Sequence, residues 1–337
     1  MASRNPLTVE VTRGGMVESC HRGAAVVMDA KGNAVHAWGE IERIVYPRSA
    51  IKPLQALAVV ETGAAEAFAV TDAELALASA SHCGQPQHMD VVLAWLERIG
   101  LGADNLECGA HEPLDPETTK ARVRAGESPG PANNNCSGKH AGMLTTAKHL
   151  GEETAGYTRP GHPVQQRLRA ILTDIGGADL SQAPEGTDGC GIPVFGMPLS
   201  AMARAMARMA DTGGLEAARA EAAGRIVAAM MSNPLLVSGR GRFDTIAMEA
   251  ANGAFAVKTG AEGVHGAILP RLGLGVAVKI DDGARRAAQV AMAAILDYLG
   301  VLDGEAKVAL AGFLETPVLT EKGERVGEIR MAPDWAG

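Results

Sequence analysis

The chain has 337 residues, of which 47% are hydrophobic and 21% charged, with a formal net charge of −8. That composition excludes global disorder and supplies a sizeable core, in one large domain or two intimate ones. The acidic balance, with no basic block and no aromatic–basic interleaving, argues against a nucleic-acid partner, and no stretch nears the ~18 uninterrupted apolar residues of a membrane helix. Aromatics make up only 3% of the chain, so the core must rest on Ala, Val, Leu, Ile and Met.

In chain order, residues 7–11 and "AAVVMD" (24–29) have strand character, and "AVHAWG" returns as a hairpin partner after the turn "AKGN". "PRSAIKPLQALAVV" (47–60) opens an apolar helix, with Pro53 tolerated in its first turn. Thr71 and Glu74 form a capping box that starts another helix. "SHCGQPQHMD" breaks the pattern, and "HMDVVLAWLERIG" resumes helical spacing up to Gly100. Residues 108–136, rich in Pro, Gly and Asn, predict loops with at most a short helix near 116–125. Helices are expected near 137–150, 162–176, 198–211 and 215–232, interrupted by the glycine-punctuated "GTDGCGIPVFG" (186–196). From about residue 253 three short β-like runs follow, then the amphipathic helix "GARRAAQVAMAAILDYLG", then a last strand at 325–331.

Strands at both ends and no βαβ alternation predict an α+β fold. Its antiparallel sheet draws on β-rich parts 1–45 and 253–337, flanked by helices, with a helical middle section 46–252, all within a single domain 1–337. Five widely spaced cysteines and an opening without the apolar run of a signal peptide argue against a disulfide framework. The expected setting is cytoplasmic. Met202, Met206 and Met209 recur at helical spacing and read as core filler.

The chemistry begins at Ser49 and Lys52. Residues three apart share a helix face, so hydroxyl and amine can meet. A lysine desolvated among Ile51, Leu54 and their neighbours loses its preference for the charged form and can take a proton from serine. The plain alternative is an N-cap serine and a snorkelling lysine. "AVKTGAEG" (256–263) shifts the balance. Serine acyl-enzymes of the β-lactamase and penicillin-binding class combine S-x-x-K on a helix, a second serine, and K-T-G on a strand. Lys258-Thr259-Gly260 fits the last element, and Ser81 is the candidate second serine. The S-D-N motif is absent, and "SHC" stands instead.

The stretches "HRGAAVV", "YPRSAIKPLQAL", "SHCGQPQHMD", "NNNCSGKHAGML" and "GTDGCGIPVFGMPL", spanning 21–199, with "VKTGAEG" beyond, resemble the Rhizobium etli-type (class 3, thermolabile type II) L-asparaginases. The resemblance implies hydrolysis of L-asparagine to aspartate and ammonia, a serine β-lactamase-like fold and a homodimer. It also implies two Ser-Lys pairs, Ser49 with Lys52 and Ser81 with Lys258, the first supplying the nucleophile. It further implies zinc held by Cys136, Lys139 and Cys190. C-x-x-K with one distant cysteine does not reveal a metal site by spacing alone, and His140 is a more conventional ligand type that competes with Lys139. For a zwitterionic substrate, Arg48 is a candidate for the α-carboxylate and Asp188 for the α-ammonium, with His140 a further candidate contact. Asp188 could equally form an Asx turn or fix a zinc-bound water. Two rival readings remain open: the same serine chemistry on a β-lactam, D-peptide or ester, and an amino-acid-binding protein without turnover.

Overall fold

The computed structural model describes residues 5–336. The chain divides into two compact units. One comprises Met1–Ala50, Met197–Asp211 and Ile246–Gly337; the other comprises Ile51–Gly196 and Thr212–Thr245.

The first unit is built on an antiparallel sheet of eight strands: β1 (Leu7–Arg13), β2 (Met16–Asp29), β3 (Ala34–Trp38), β4 (Ala256–Thr259), β5 (Val264–Leu269), β6 (Leu274–Ile280), β7 (Glu315–Leu319) and β8 (Arg325–Met331). Their order is β7-β8-β1-β2-β6-β5-β4, with β3 added on β2. The two chain ends therefore meet in one sheet, as expected, with Val9 opposite Met331 and Val27 opposite Val276. β2 is long enough to serve two neighbours on one side. Its first half pairs with β1 through Gly23, and its second half pairs with β3 from Ala25. The helix Leu199–Ala210 packs on β2, β5 and β6, and the helix Arg285–Tyr298 packs on β1, β5, β6 and β8. Met202, Met206 and Met209 are buried, as core filler should be.

The spacing of the sequence misses two neighbouring elements here. "GEAKVALAGFL" forms the helix Gly304–Leu314, and it runs directly into β7. Pro317 would forbid a central strand, but β7 lies at the sheet's end and pairs only with β8.

The second unit is helical. Thr71 accepts the Glu74 N–H while Glu74 caps Thr71 in return, so the capping box starts Asp72–Ala78 as read. The helix Pro116–Ala125 lies where the loop-rich segment allowed one. At the centre runs Ser137–Leu150, buried on every side from Ser137 to Ala147. It packs against Lys52–Glu61, Asp72–Ala78 and Pro86–Arg98. A helix buried all round cannot be amphipathic, and small residues admit its neighbours. A Cβ on Gly138 would lie 2.3 Å from the Leu77 carbonyl oxygen, so only glycine permits this approach. Glu185–Thr187 and Pro193–Phe195 pair as a short hairpin whose loop carries Asp188 and Cys190. No helix among the described residues is long and apolar enough to cross a membrane.

Candidate active site

Ser49 belongs to a short 3-10 turn, Arg48–Ile51, that leads into the α-helix Lys52–Glu61, with Pro53 in its first turn. The apolar run therefore begins its α-helix at the lysine, and the serine sits in the tighter turn before it. Arg48 holds φ at +51°, a conformation that side chains other than glycine rarely adopt. Such outliers persist where the surroundings over-determine them, often at functional sites.

Within the first unit, the K-T-G segment closes on this turn. An added Cβ at Gly260 would stand 3.0 Å from Pro47 O and 3.2 Å from both Cβ and N of Ala50. The glycine of the motif thus lets the end of β4 lie against residues 47–50. Lys258 is buried, and its Nζ donates to Thr259 O at 2.7 Å. Gly260 N–H donates to Val264 O at 2.8 Å, closing the turn into β5.

Within the second unit, Lys52 is fully buried. Its Nζ lies 2.5 Å from Ala80 O, 3.0 Å from Ser81 Oγ and 3.4 Å from Asn135 O. Burial pushes this amine below its ordinary range, against the opposing pull of Cys136. The sequence reading placed Ser81 with Lys258; within this unit Ser81 lies beside Lys52. Its own backbone N–H is anchored on Val237 O at 2.9 Å.

A second cluster joins the start of the central helix to the hairpin loop. Lys139 Nζ donates to Cys190 Sγ at 3.0 Å, and the Cys136 thiol hydrogen-bonds Cys190. That bond is the main reason the Cys190 thiol drops to about 4, while burial opposes it and Lys139 assists. The Cys136 thiol is pushed up to about 12 by the same bond and by burial. Burial pulls the Lys139 amine down, but Cys190, Cys136 and Asp188 outweigh it and hold the amine above its ordinary range. The cluster thus gathers two cysteine sulfurs and one amine in a single buried site. Among the described residues no three His, Cys, Asp or Glu side chains converge as a metal site. Only by counting Lys139 does the cysteine pair become a three-donor set, of two soft sulfurs and one amine. That set suits zinc once the sulfurs and the amine have shed their protons.

Asp188 takes the first position of the hairpin loop. Its carboxylate accepts the Gly189 N–H at 2.8 Å, and its carbonyl accepts the Gly191 N–H at 2.8 Å. It thus opens a β-turn closed by its own carbonyl, and its charge also acts on Lys139. His140 is fully buried, with Nδ1 2.7 Å from Tyr157 Oη. Burial and Lys139 drive its imidazole down to about 3, so the ring is neutral. Its Nε2 has no hydrogen-bond partner among the described residues.

Three contributors escaped the sequence reading. Asn135 acts through its backbone carbonyl and its Oδ1, which lies 3.3 Å from Cys136 Sγ. Tyr157 links His140 to the backbone of Glu107. The backbone carbonyl of Ala80 completes the cradle of Lys52. Main-chain acceptors leave no residue-type signature, and only the run "NNNC" hinted at the first.

The profile of a family described as L-asparaginase II matches residues 9–331. No curated protein matches the chain. Similar solved structures include one described as a candidate β-lactamase from Bacteroides dorei, at 13% identity and a TM-score of 0.42, covering 82% of this chain and 93% of that one. Another is a β-lactamase from Mycobacterium bovis, at 12% identity and a TM-score of 0.39, covering 86% of this chain and 94% of that one.

Proposed function

The chain belongs to the L-asparaginase II family, and from that premise we propose that it converts L-asparagine to aspartate and ammonia through a serine acyl-enzyme activated by lysine. Ser49 attacks the side-chain amide carbon, and a neutral amine at Lys52 accepts its proton. The tetrahedral adduct expels ammonia once the nitrogen is protonated, and water then releases aspartate from the ester. Ser81 and Lys258 relay protons to the leaving group or the hydrolytic water. The pairing of Ser49 with Lys52 and of Ser81 with Lys258 rests on the family resemblance.

The observation that carries the reading is the cradle of Lys52. Two carbonyl oxygens, of Ala80 and Asn135, take the two N–H groups of a neutral amine. Its lone pair is then left for a serine hydroxyl, and burial favours that neutral state. The 3.0 Å contact to Ser81 Oγ also supports a second reading, in which Ser81 is the serine acylated and Lys52 its base.

Arg48 is assigned to the substrate carboxylate and Asp188 to its ammonium. His140 braces the site through Tyr157 rather than contacting solvent. Cys136, Lys139 and Cys190 would hold zinc, which when bound supplies a Lewis acid or a template for the substrate's polar ends. A homodimer in the cytoplasm completes the proposal, on the resemblance alone.

Ammonia release from asparagine by the wild type, Ser49→Ala and Ser81→Ala, with intact-protein mass spectrometry of trapped ester, tests both readings. The expected result is severe loss in both variants and no ester in Ser49→Ala. Full activity in Ser49→Ala removes it as nucleophile; an ester retained there and lost in Ser81→Ala establishes the second reading. Nitrocefin turnover without asparagine turnover, or asparagine binding without ammonia, favours the rival classes.

A further inference from the structure

The segment Ser81–Gln85 has no regular secondary structure, yet His82 to Gln85 are buried. Buried backbone N–H groups must find acceptors. Two imidazoles provide them. Gly84 N–H donates to His82 Nδ1 at 3.2 Å, and Gln85 N–H donates to His88 Nδ1 at 3.1 Å. A backbone N–H can only donate, so both Nδ1 atoms are unprotonated and both rings carry hydrogen on Nε2. Those hydrogens have definite destinations. His88 Nε2–H donates to Leu235 O at 2.9 Å, and His82 Nε2–H donates to Ser137 Oγ at 2.8 Å. The rings stack with centroids 4.9 Å apart and planes 12° from parallel. Burial drives the His82 imidazole well below its ordinary range, with His88 adding to the effect, in keeping with a neutral ring.

We propose that His82 is a positioning residue, tying the loop that carries Ser81 to Ser137 at the start of the helix that carries Lys139. Ser81 precedes His82 directly, and Ser137 follows Cys136 directly. The tie therefore fixes the spacing between the serine beside Lys52 and the Cys136–Lys139 cluster. Backbone anchors of this loop lead elsewhere, among them Ser81 N–H to Val237 O and Asp115 N–H to Cys83 O. His82 reaches the central helix from within the loop by a side chain that both accepts and donates. This assignment deepens the asparaginase reading and rests on it for its kinetic consequence.

Two substitutions separate the two halves of the imidazole. Glutamine places an amide N–H near the position of Nε2 and keeps the donor to Ser137. Asparagine places an oxygen near Nδ1 and keeps the acceptor for Gly84. In His82→Asn, kcat for ammonia release falls about 10–100-fold with KM little changed, as a displacement near 1 Å implies. His82→Gln recovers most of that loss, and Ser137→Ala adds little to His82→Asn because both cut one bond. Wild-type kcat in a folded His82→Asn overturns the proposal, as does equal loss in the glutamine and asparagine variants. Hydrogen exchange of the 81–85 amides reads the tie without reference to turnover: it speeds in His82→Asn and Ser137→Ala. Unchanged exchange overturns the proposal, whereas a wild type that releases no ammonia but shows this pattern overturns only the substrate assignment.

Discussion

Gly260→Ala tests the reason for the K-T-G glycine. The backbone there is not left-handed, so alanine adopts it without torsional strain. What it meets is Pro47 O at 3.0 Å and the Cβ and N of Ala50 at 3.2 Å. Two of these are backbone atoms of a turn closed by Ala50 N–H on Pro47 O, which cannot rotate aside like a side chain. The strand end and the turn must separate by a few tenths of an ångström. Overpacking of this kind costs ~1–3 kcal/mol. The stiffer unfolded chain returns ~0.4–1 kcal/mol of that. A net loss of about 1–2 kcal/mol is expected in urea unfolding. Because residues 47–50 include Ser49, kcat for ammonia release should fall about 10–100-fold, well beyond what the loss of stability explains. A folded Gly260→Ala enzyme with wild-type kcat would refute the idea that this contact sets the position of Ser49, whatever its melting behaviour.

Lys52→Met keeps the buried volume and removes the amine, so ammonia release should drop to background while the fold persists. The pH dependence of stability should change too. The folded chain sheds the Lys52 proton at a lower pH than the unfolded chain, whose value is near 10.5. In that window the unfolded state binds more protons, so stability rises with pH up to 10.5 and is lost as pH falls through the folded value. Urea midpoints at about pH 7 and about pH 10 should show an increment in the wild type that Lys52→Met lacks; equal slopes would mean the amine is not desolvated. Arg48→Gly relieves a left-handed residue and should hold or raise stability by up to about 1 kcal/mol. Its KM for asparagine should rise tenfold or more, as loss of a charged hydrogen bond worth ~1.5–3 kcal/mol requires; an unchanged KM frees Arg48 from the substrate carboxylate. Cys190→Ser should lower bound zinc by elemental analysis of the purified protein, and unaltered zinc content removes Cys190 from the ligand set.

The sheet was legible because strand character, turn residues and hydrophobic runs agreed at both ends of the chain. The capping box at Thr71 and the last strand at 325–331 follow from such local rules. The helix Gly304–Leu314 and the strand after it were not legible, since their apolar residues show no clean period and a proline interrupts the strand. At the site, residue types with intrinsic chemistry stood out: Ser49, Lys52, Cys136, Lys139 and Cys190. The carbonyls that cradle Lys52 could not, because every residue carries one and only the fold decides which converge. The work of His82 and His88 depends on which nitrogen faces a backbone N–H, and that is settled by tertiary placement.

Joining both termini in one sheet has a consequence for synthesis. β1 finds its partner β8, and β2 finds β6, only after the helical residues that separate them have left the ribosome. Until then the earliest strands wait with open edges, a hazard for sticking to neighbouring nascent chains. The helical residues between them are all made before the final strands, so the slowest event of assembly should be the late arrival of those strands.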